Sequence, residues 1–452
     1  MLFRHLRRLT LHKLSEVDSS LSFMFLPFSL FVLFFVSGCN VSSTTTVNST
    51  ETEQDLRTLL DLPEHMPLPA IPEFNALTKE KITLGRFLFY DKQLSANQTQ
   101  SCGSCHFQSN AFADGISTPI GSTGHALVRN SQGLSNAAYN ATFTWSNDTF
   151  FELEDQLNVP IRADDPIELG VTDAELDTVL SRFNNDEKYQ EMFEAAFPDS
   201  DSGATMNKVI FSLASFVRTM ISAKSPYDEY LLGDKEALTA QQKQGFSLFN
   251  GEKFECFHCH TGINFTVSYR DANTLNDALL FPFFNNGLYN VNSDGSYPVE
   301  DQGIFDLSSD PTDKGKFRPP SLRNIEFTAP YMHDGSIGTL REVVEHYARG
   351  GTLTEYGVNA GDGKNSPYKS ALILGFSATD EEIDAVVSFL ESLSDYDFIN
   401  NEKFSNPHEE NQCLSVLSQY GYYLYFLLFI NQQWLTKKFL CLRRTQLKFW
   451  LL

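Results

Sequence analysis

Residues 254–262 read "FECFHCHTG", with Cys256, Cys259 and His260 in the order C-x-x-C-H. The same order stands earlier in "SCGSCHFQ", at Cys102, Cys105 and His106. Two thiols three residues apart can add to the two vinyl groups of one haem, and the imidazole that follows can reach its iron. A single copy also fits a zinc site or chance. Two copies in one acidic chain without another metal pattern point to two covalently bound haem c groups, with His106 and His260 as proximal iron ligands.

Similarity around the two motifs extends beyond the ligands. "LGRFLFYDKQLSANQTQSCGSCH" and "QGFSLFNGEKFECFHCH" share G-x-x-L-F, at Gly85, Leu88, Phe89 and at Gly245, Leu248, Phe249. A repeated segment of this kind implies a duplicated module, each half holding one haem. Helix starts are marked by capping boxes at Thr172/Glu175, Thr239/Gln242, Thr339/Glu342 and Thr379/Glu382, whereas strand alternation is scarce. The expected fold is mainly α, with two cytochrome c-like haem domains and long functional loops. The expected division is a signal segment over 1–39, a polar tether over 40–62, haem domains over 63–230 and 231–400, and an atypical tail over 401–452.

The 452 residues carry 34 Lys+Arg against 57 Asp+Glu, a net charge of −23. Residues 1–38 hold +2 and residues 411–452 hold +5, which leaves −30 on the body between them. Such a body repels nucleic acid and anionic headgroups and suits a basic protein partner. Arg4, Arg7, Arg8 and Lys13 precede the apolar run "LSFMFLPFSLFVLFFVSGC", the pattern of a secretory signal. Its end resembles a lipoprotein signal with Cys39 as the lipidated residue; an uncleaved membrane anchor is the alternative. Either exports the body, and a periplasmic, lipid-anchored location is expected. Cys413 and Cys441 lie in the tail, so no even set of cysteines remains for a disulfide framework. The tail contains "YGYYLYFLLFI", too short to span a bilayer alone. A frameshift or read-through product and a membrane-surface segment both fit it.

"LGRFLFYD", the two C-x-x-C-H motifs, "FADG" and "LRNIEFTAPYMHDG" together resemble the di-haem cytochrome c peroxidase superfamily. "GSTG", "RNSQGLSNAAYNATFTW" and "PIRADDPIELG" are similar to the branch containing MauG and its MbnH-type relatives. The resemblance covers most of residues 63–400. It implies an enzyme that takes hydrogen peroxide at the first haem and spreads the oxidising equivalents over a high-valent two-haem state. An aromatic residue of a partner protein is then oxidised. For MbnH-type enzymes that residue is a tryptophan, converted to kynurenine in an exported copper-binding protein. A peroxidase drawing electrons from a small redox protein, and a non-catalytic di-haem electron carrier, are the rival expectations.

The resemblance also assigns residues. Tyr347 lies fourteen residues after His333, where ordinary di-haem peroxidases place a methionine ligand to the second haem and the MauG-like branch a tyrosine. Leu340, Val343, Val344 and Tyr347 fall on one helix face, with His346 turned by roughly 100° from it. Met332 and His346 are the alternative ligands. A phenolate favours ferric and higher states where a thioether raises the potential. In "LEDQLNVPIRADDPIELG" the distal pair is Gln156 with Glu168 as acid/base; Asp164, Asp165 and Glu154 are rivals, because the twelve-residue spacing is two longer than in ordinary peroxidases. Trp145 matches the tryptophan between the haems, and the remaining tryptophans, Trp434 and Trp450, lie in the tail. Any relay to the surface of the body therefore uses tyrosine or one long step. Asn130, Thr328 and Pro330 match an inter-domain calcium site, and His125 is expected as a surface residue beside an open first haem.

Overall fold

The computed structural model describes residues 49–274 and 282–409. In chain order its helices are α1 (Ser49–Leu60), α2 (Lys79–Tyr90), α3 (Leu153–Arg162), α4 (Leu176–Asn184), α5 (Glu187–Ala196) and α6 (Met206–Arg218). Then come α7 (Pro226–Leu231), α8 (Ala240–Phe249), α9 (Phe305–Ser308), α10 (Leu340–Arg349), α11 (Asp380–Glu391) and α12 (Tyr396–Asn400). Among the described residues, strands are confined to two short antiparallel pairs. β1 (Phe284–Asn285) meets β2 (Lys316–Phe317), with Phe284 opposite Phe317. β3 (Leu353–Thr354) meets β4 (Gly361–Asp362), with Leu353 opposite Asp362. The fold is mainly α, with long loops between the helices.

Two helix crossings explain why G-x-x-L-F occurs twice. α2 packs across α6, and α8 packs across α11. At the first crossing a Cβ on Gly85 would lie 1.9 Å from the Ser212 carbonyl oxygen. At the second, a Cβ on Gly245 would lie 1.8 Å from the Ala385 oxygen. Only a residue without a side chain lets the backbones approach this closely. The Leu and Phe of each motif then pack beside the crossing, in the first core as Leu88 and Phe89 and in the second as Phe249 with Leu248 at its margin. Gly245→Ala is expected to lower stability by about 3 kcal/mol, the upper end for overpacking, because rigid backbone rather than a side-chain tip must move. Thermal unfolding of the haem-loaded protein measures this; an unchanged midpoint would refute the close crossing.

Two large cores follow from these crossings. The first gathers buried residues from Leu84 to Met220 and is joined by Phe398 and Phe404. The second runs from Tyr227 to Leu393. Each is pinned by a buried ion pair. Arg218 holds Glu154 through contacts of 2.6 and 2.7 Å, and Arg323 holds Asp228 at 2.7 and 2.6 Å. A smaller cluster of Leu60, Leu62, Met66, Tyr139 and Ile221 ties α1 to this body.

Three expectations need correction. The polar tether over 40–62 is helical from Ser49: Leu60 and Leu62 are buried, and Arg57 donates to the Met66 carbonyl at 3.1 Å. The tail does not begin at 401. Phe404 is buried in the first core, Tyr90 donates to its carbonyl at 2.6 Å, and Arg86 donates to the Ser405 carbonyl at 2.7 Å. The capping box at Thr172 is not formed either, since α4 starts at Leu176 with Glu175 as its N-cap. The boxes at Thr239, Thr339 and Thr379 are present. The signal segment with Cys39, and the stretch with Cys413, Trp434, Cys441 and Trp450, lie outside the described residues.

Candidate functional site

Both C-x-x-C-H motifs fold into the same tight turn. The Cys105 and His106 amides donate to the Cys102 carbonyl at 3.1 and 3.0 Å, and those of Cys259 and His260 donate to the Cys256 carbonyl at 3.3 and 2.9 Å. All four cysteines are free of disulfides. Burial pushes the Cys102, Cys105 and Cys256 thiols up to about 12 and Cys259 up to about 11. Among the described residues, no three His, Cys, Asp or Glu side chains converge as a metal cluster.

The histidines are oriented alike. His106 Nδ1 lies 2.5 Å from the Phe112 carbonyl and His260 Nδ1 lies 3.1 Å from that of Phe265. A carbonyl only accepts, so in both rings Nδ1 carries the proton and Nε2 keeps its lone pair. That is the tautomer an iron-binding imidazole needs. Burial also holds both rings neutral, His260 down to about 4.

A cavity of about 560 Å³ opens over the second motif, within the range of roughly 300–1,000 Å³ typical of cofactor pockets. Cys256, Cys259, His260, Trp145, Met332 and Tyr347 are in its wall. So are Arg318 and Gln132, which carry buried donors without a protein partner, Arg318 Nη1 and Gln132 Nε2. Arg318 also donates to Gln132 Oε1 at 2.7 Å and to the Thr144 carbonyl at 2.9 Å, and burial pushes it down to about 10. A buried guanidinium without a carboxylate requires an anion. The propionates of a haem would supply that charge, so the residues present fit the group.

The amphipathic face of α10 turns into this cavity. Leu340, Val343, Val344 and Tyr347 all line it. Burial pushes the Tyr347 phenol well above its usual range, with nearby Cys259 adding to this. His346 is also buried, which its place on the helix did not indicate. Its Nε2 donates to the Asn286 carbonyl at 3.1 Å and its Nδ1 accepts from the Thr352 hydroxyl at 2.7 Å. Both ring nitrogens are thus engaged away from the cavity, whereas Met332 lines it, its sulfur accepting from Asn286 Nδ2 at 3.3 Å.

The loop after α3 separates the four candidate acids. Glu154 is committed to structure. Burial pushes it up, but Arg218 outweighs this and, with Asn75 donating at 2.5 Å, holds it below the usual range. Asp164 and Asp165 are exposed. Glu168 is partly buried, close enough to Cys102 and Cys105 to act on them electrostatically, and burial pushes its carboxyl up to about 7. Its backbone is fixed by Ser122, whose amide donates to the Glu168 carbonyl at 2.8 Å. A Cβ on Gly121 would meet the Ile167 oxygen at 2.0 Å, which explains the glycine of "GSTG". Gln156 sits partly buried on α3, and His125 is exposed.

Trp145 links the two motifs. Its Nε1 donates to the Asn130 carbonyl at 2.9 Å, and the adjacent Ser131 donates its hydroxyl to the Cys105 carbonyl at 2.9 Å. Asn130, Thr328 and Pro330 share the cavity wall. Asn130 Nδ2 donates to the Ile116 and Ser117 carbonyls at 2.8 and 3.2 Å, which leaves Oδ1 as the acceptor available to a cation. Sequence reasoning missed Asn286, Gln132 and Arg318; Gln132 lies in "RNSQGLSNAAYNATFTW", but nothing in that stretch marked it as a site residue.

Comparison with known proteins gives the family. Residues 79–236 match the family described as di-haem cytochrome c peroxidase. The methylamine utilization protein MauG of Methylorubrum extorquens is 32% identical over 79% of this chain and 90% of its own. The cytochrome-c peroxidase IdrP1 of Pseudomonas sp. strain SCT is 34% identical over 74% of this chain and 86% of its own. The crystal structure of a MauG-like protein associated with microbial copper homeostasis superposes with a TM-score of 0.75 at 42% identity, covering 77% of this chain and 99% of that one. With two C-x-x-C-H turns, two cores and these relatives, the chain belongs to the di-haem cytochrome c peroxidase and MauG family of haem-dependent oxidoreductases.

Proposed function

We propose that this protein is an exported, lipid-anchored di-haem enzyme that uses hydrogen peroxide to oxidise an aromatic side chain, tryptophan to kynurenine, on a partner protein. The observation that carries it is Tyr347, turned into the cavity over the second motif together with Cys256, Cys259 and His260. Haem covalently bound through the four cysteines supplies the redox-active iron. The protein supplies ligation, proton handling and a path for charge. His106 and His260 would hold the iron through Nε2, and Tyr347 would offer its phenol oxygen to the second haem. Glu168 accepts a proton from incoming peroxide and returns it to the departing oxygen, and Gln156 helps orient the peroxide. Trp145 carries charge between the two sites, and Asn130 with the carbonyls of Thr328 and Pro330 holds calcium beside it.

The likeness to a MauG-like protein associated with copper homeostasis supports an exported copper-binding protein as the partner. The −30 body favours a basic docking face on it. Peroxide reduction with electrons from a small redox protein is the second reading, favoured by Met332 in the same cavity wall.

EPR of the ferric, haem-loaded protein before and after one equivalent of peroxide tests the proposal. One high-spin and one low-spin haem are expected, both lost after peroxide without a stoichiometric radical. A stoichiometric radical would move the chain to the peroxidase reading. Two low-spin haems indifferent to peroxide would make it a carrier.

A further inference from the structure

Three tyrosine hydroxyls donate to aspartates among the described residues. Tyr189 bonds Asp91 Oδ2 at 2.6 Å, Tyr269 bonds Asp271 Oδ2 at 3.0 Å and Tyr289 bonds Asp334 Oδ2 at 2.7 Å. They differ in what their rings touch. Tyr189 meets Phe183 and Tyr269 stacks on Tyr139, and neither Phe183 nor Tyr139 lines the cavity over the second motif. Tyr289 meets Tyr297, with ring centroids 5.5 Å apart. Tyr297 in turn lies 5.9 Å from both Phe317 and His333, and those two rings stack at 3.7 Å in the cavity wall. Trp145 packs against the same cluster. A row of rings, each within 6 Å of the next, therefore leads from the cavity to Tyr289.

The two tyrosines of this row are not equivalent. Tyr297 is fully buried, and its hydroxyl donates to amide oxygens, Asn285 Oδ1 at 3.1 Å and Asn286 Oδ1 at 3.4 Å. An amide does not take the proton, so an oxidised Tyr297 would leave a positive charge in an apolar core. Tyr289 is half-buried, and its carboxylate partner is within reach of proton transfer. At rest the proton stays on the phenol, which burial and then the Asp334 charge hold above its usual range. The other oxygen of Asp334 accepts from the amide of Ser336 at 3.0 Å, and Ser336 is exposed. The pair stands where the row of rings meets the surface.

We propose that Tyr289 is the relay through which oxidising equivalents leave the site over the second motif for an aromatic side chain of the partner, with Asp334 as its proton acceptor. The proposal rests on the reading that hydrogen peroxide leaves such equivalents in that site. In each passage Tyr289 gives one electron to the oxidised site and its phenolic proton to Asp334 Oδ2. The phenol O–H bond breaks, a carboxyl O–H bond forms, and a neutral tyrosyl radical is left beside a neutral acid. The radical then takes one electron from the partner's side chain and the proton returns from Asp334, which restores Tyr289. Two passages account for the two equivalents of one peroxide. Trp145 is the only tryptophan before the tail, so no second indole stands in for this tyrosine.

The test treats the full, haem-loaded chain with one equivalent of hydrogen peroxide and the small radical trap 2-methyl-2-nitrosopropane, without a partner. Peptide mass spectrometry then locates the adduct. The trap draws off the small share of radical at Tyr289 as the oxidised protein returns to rest. An adduct on Tyr289 is expected, formed about 10²-fold more slowly in Asp334→Asn, whose amide keeps a hydrogen bond but takes no proton. Tyr289→Phe is expected to keep its peroxide-altered haem spectrum longer than the parent, which loss of packing alone would not produce, and it decides the matter should Asp334→Asn fail to fold. Haem spectra before peroxide are the control for folding. A parent adduct elsewhere with Tyr289 unmodified, an Asp334→Asn protein that traps at the parent rate, or a Tyr289→Phe protein that decays like the parent would overturn the relay. A parent whose haem spectrum does not respond to peroxide would remove the reading beneath it, so the two failures are told apart.

Discussion

Glu168→Gln is expected to slow the reaction of the haem-loaded protein with peroxide by about 10²–10⁴-fold, the range for loss of a positioned acid/base group. The carboxyl is pushed up to about 7 by burial, so it is largely protonated below neutral pH and ionised above. Only the ionised form can take the peroxide proton. The rate therefore rises with pH through about 7, and this rise disappears in Glu168→Gln. Glu154 gives the contrast. It is ionised throughout that range and bound to Arg218, so Glu154→Gln should impair folding rather than change the pH profile. Stopped-flow traces across pH 5–9 measure both. A Glu168→Gln protein with the parent profile would remove Glu168 from proton transfer.

Tyr347→Met is expected to have the second large effect. Thioether in place of phenolate raises the potential of the second haem. The site then holds an electron instead of sharing oxidising power, and the protein becomes a better peroxidase towards small electron donors while losing oxidation of a protein side chain. Potentiometry together with peroxide turnover measures it. An unchanged potential would mean that Tyr347 does not bind the iron and that another cavity group does.

The mainly helical class and the family were legible because both rest on local signals. Capping boxes at Thr239, Thr339 and Thr379 act within four residues, and C-x-x-C-H is a single turn. Tyr347 was legible as a cavity residue because helical periodicity fixes its face. The rest depends on contacts distant in sequence. Glu154 and Glu168 are both loop acids in the sequence, and only Arg218, 64 residues on, makes the first structural. Arg318 meets Gln132 across 186 residues, and Asn286 reaches His346 across 60. No spacing rule covers such distances. The helix at Ser49 was missed because its leucines are too few to outweigh a polar run, and the tail boundary because composition does not register Phe404 entering a core that begins at Leu84.

Phe398 and Phe404 contact Phe112 with ring centroids 5.6 and 6.3 Å apart, and the carbonyl of Phe112 orients His106. The surroundings of His106 are thus completed by residues 398–404. A chain emerging from its amino end presents Cys102, Cys105 and His106 some three hundred residues before those phenylalanines arrive. The first module cannot mature while the second is still being made. Enclosure of "SCGSCH" waits for residue 404. Truncation before that point should harm the amino-terminal haem more than the carboxy-terminal one, so assembly closes in the reverse of the order in which the chain is synthesised.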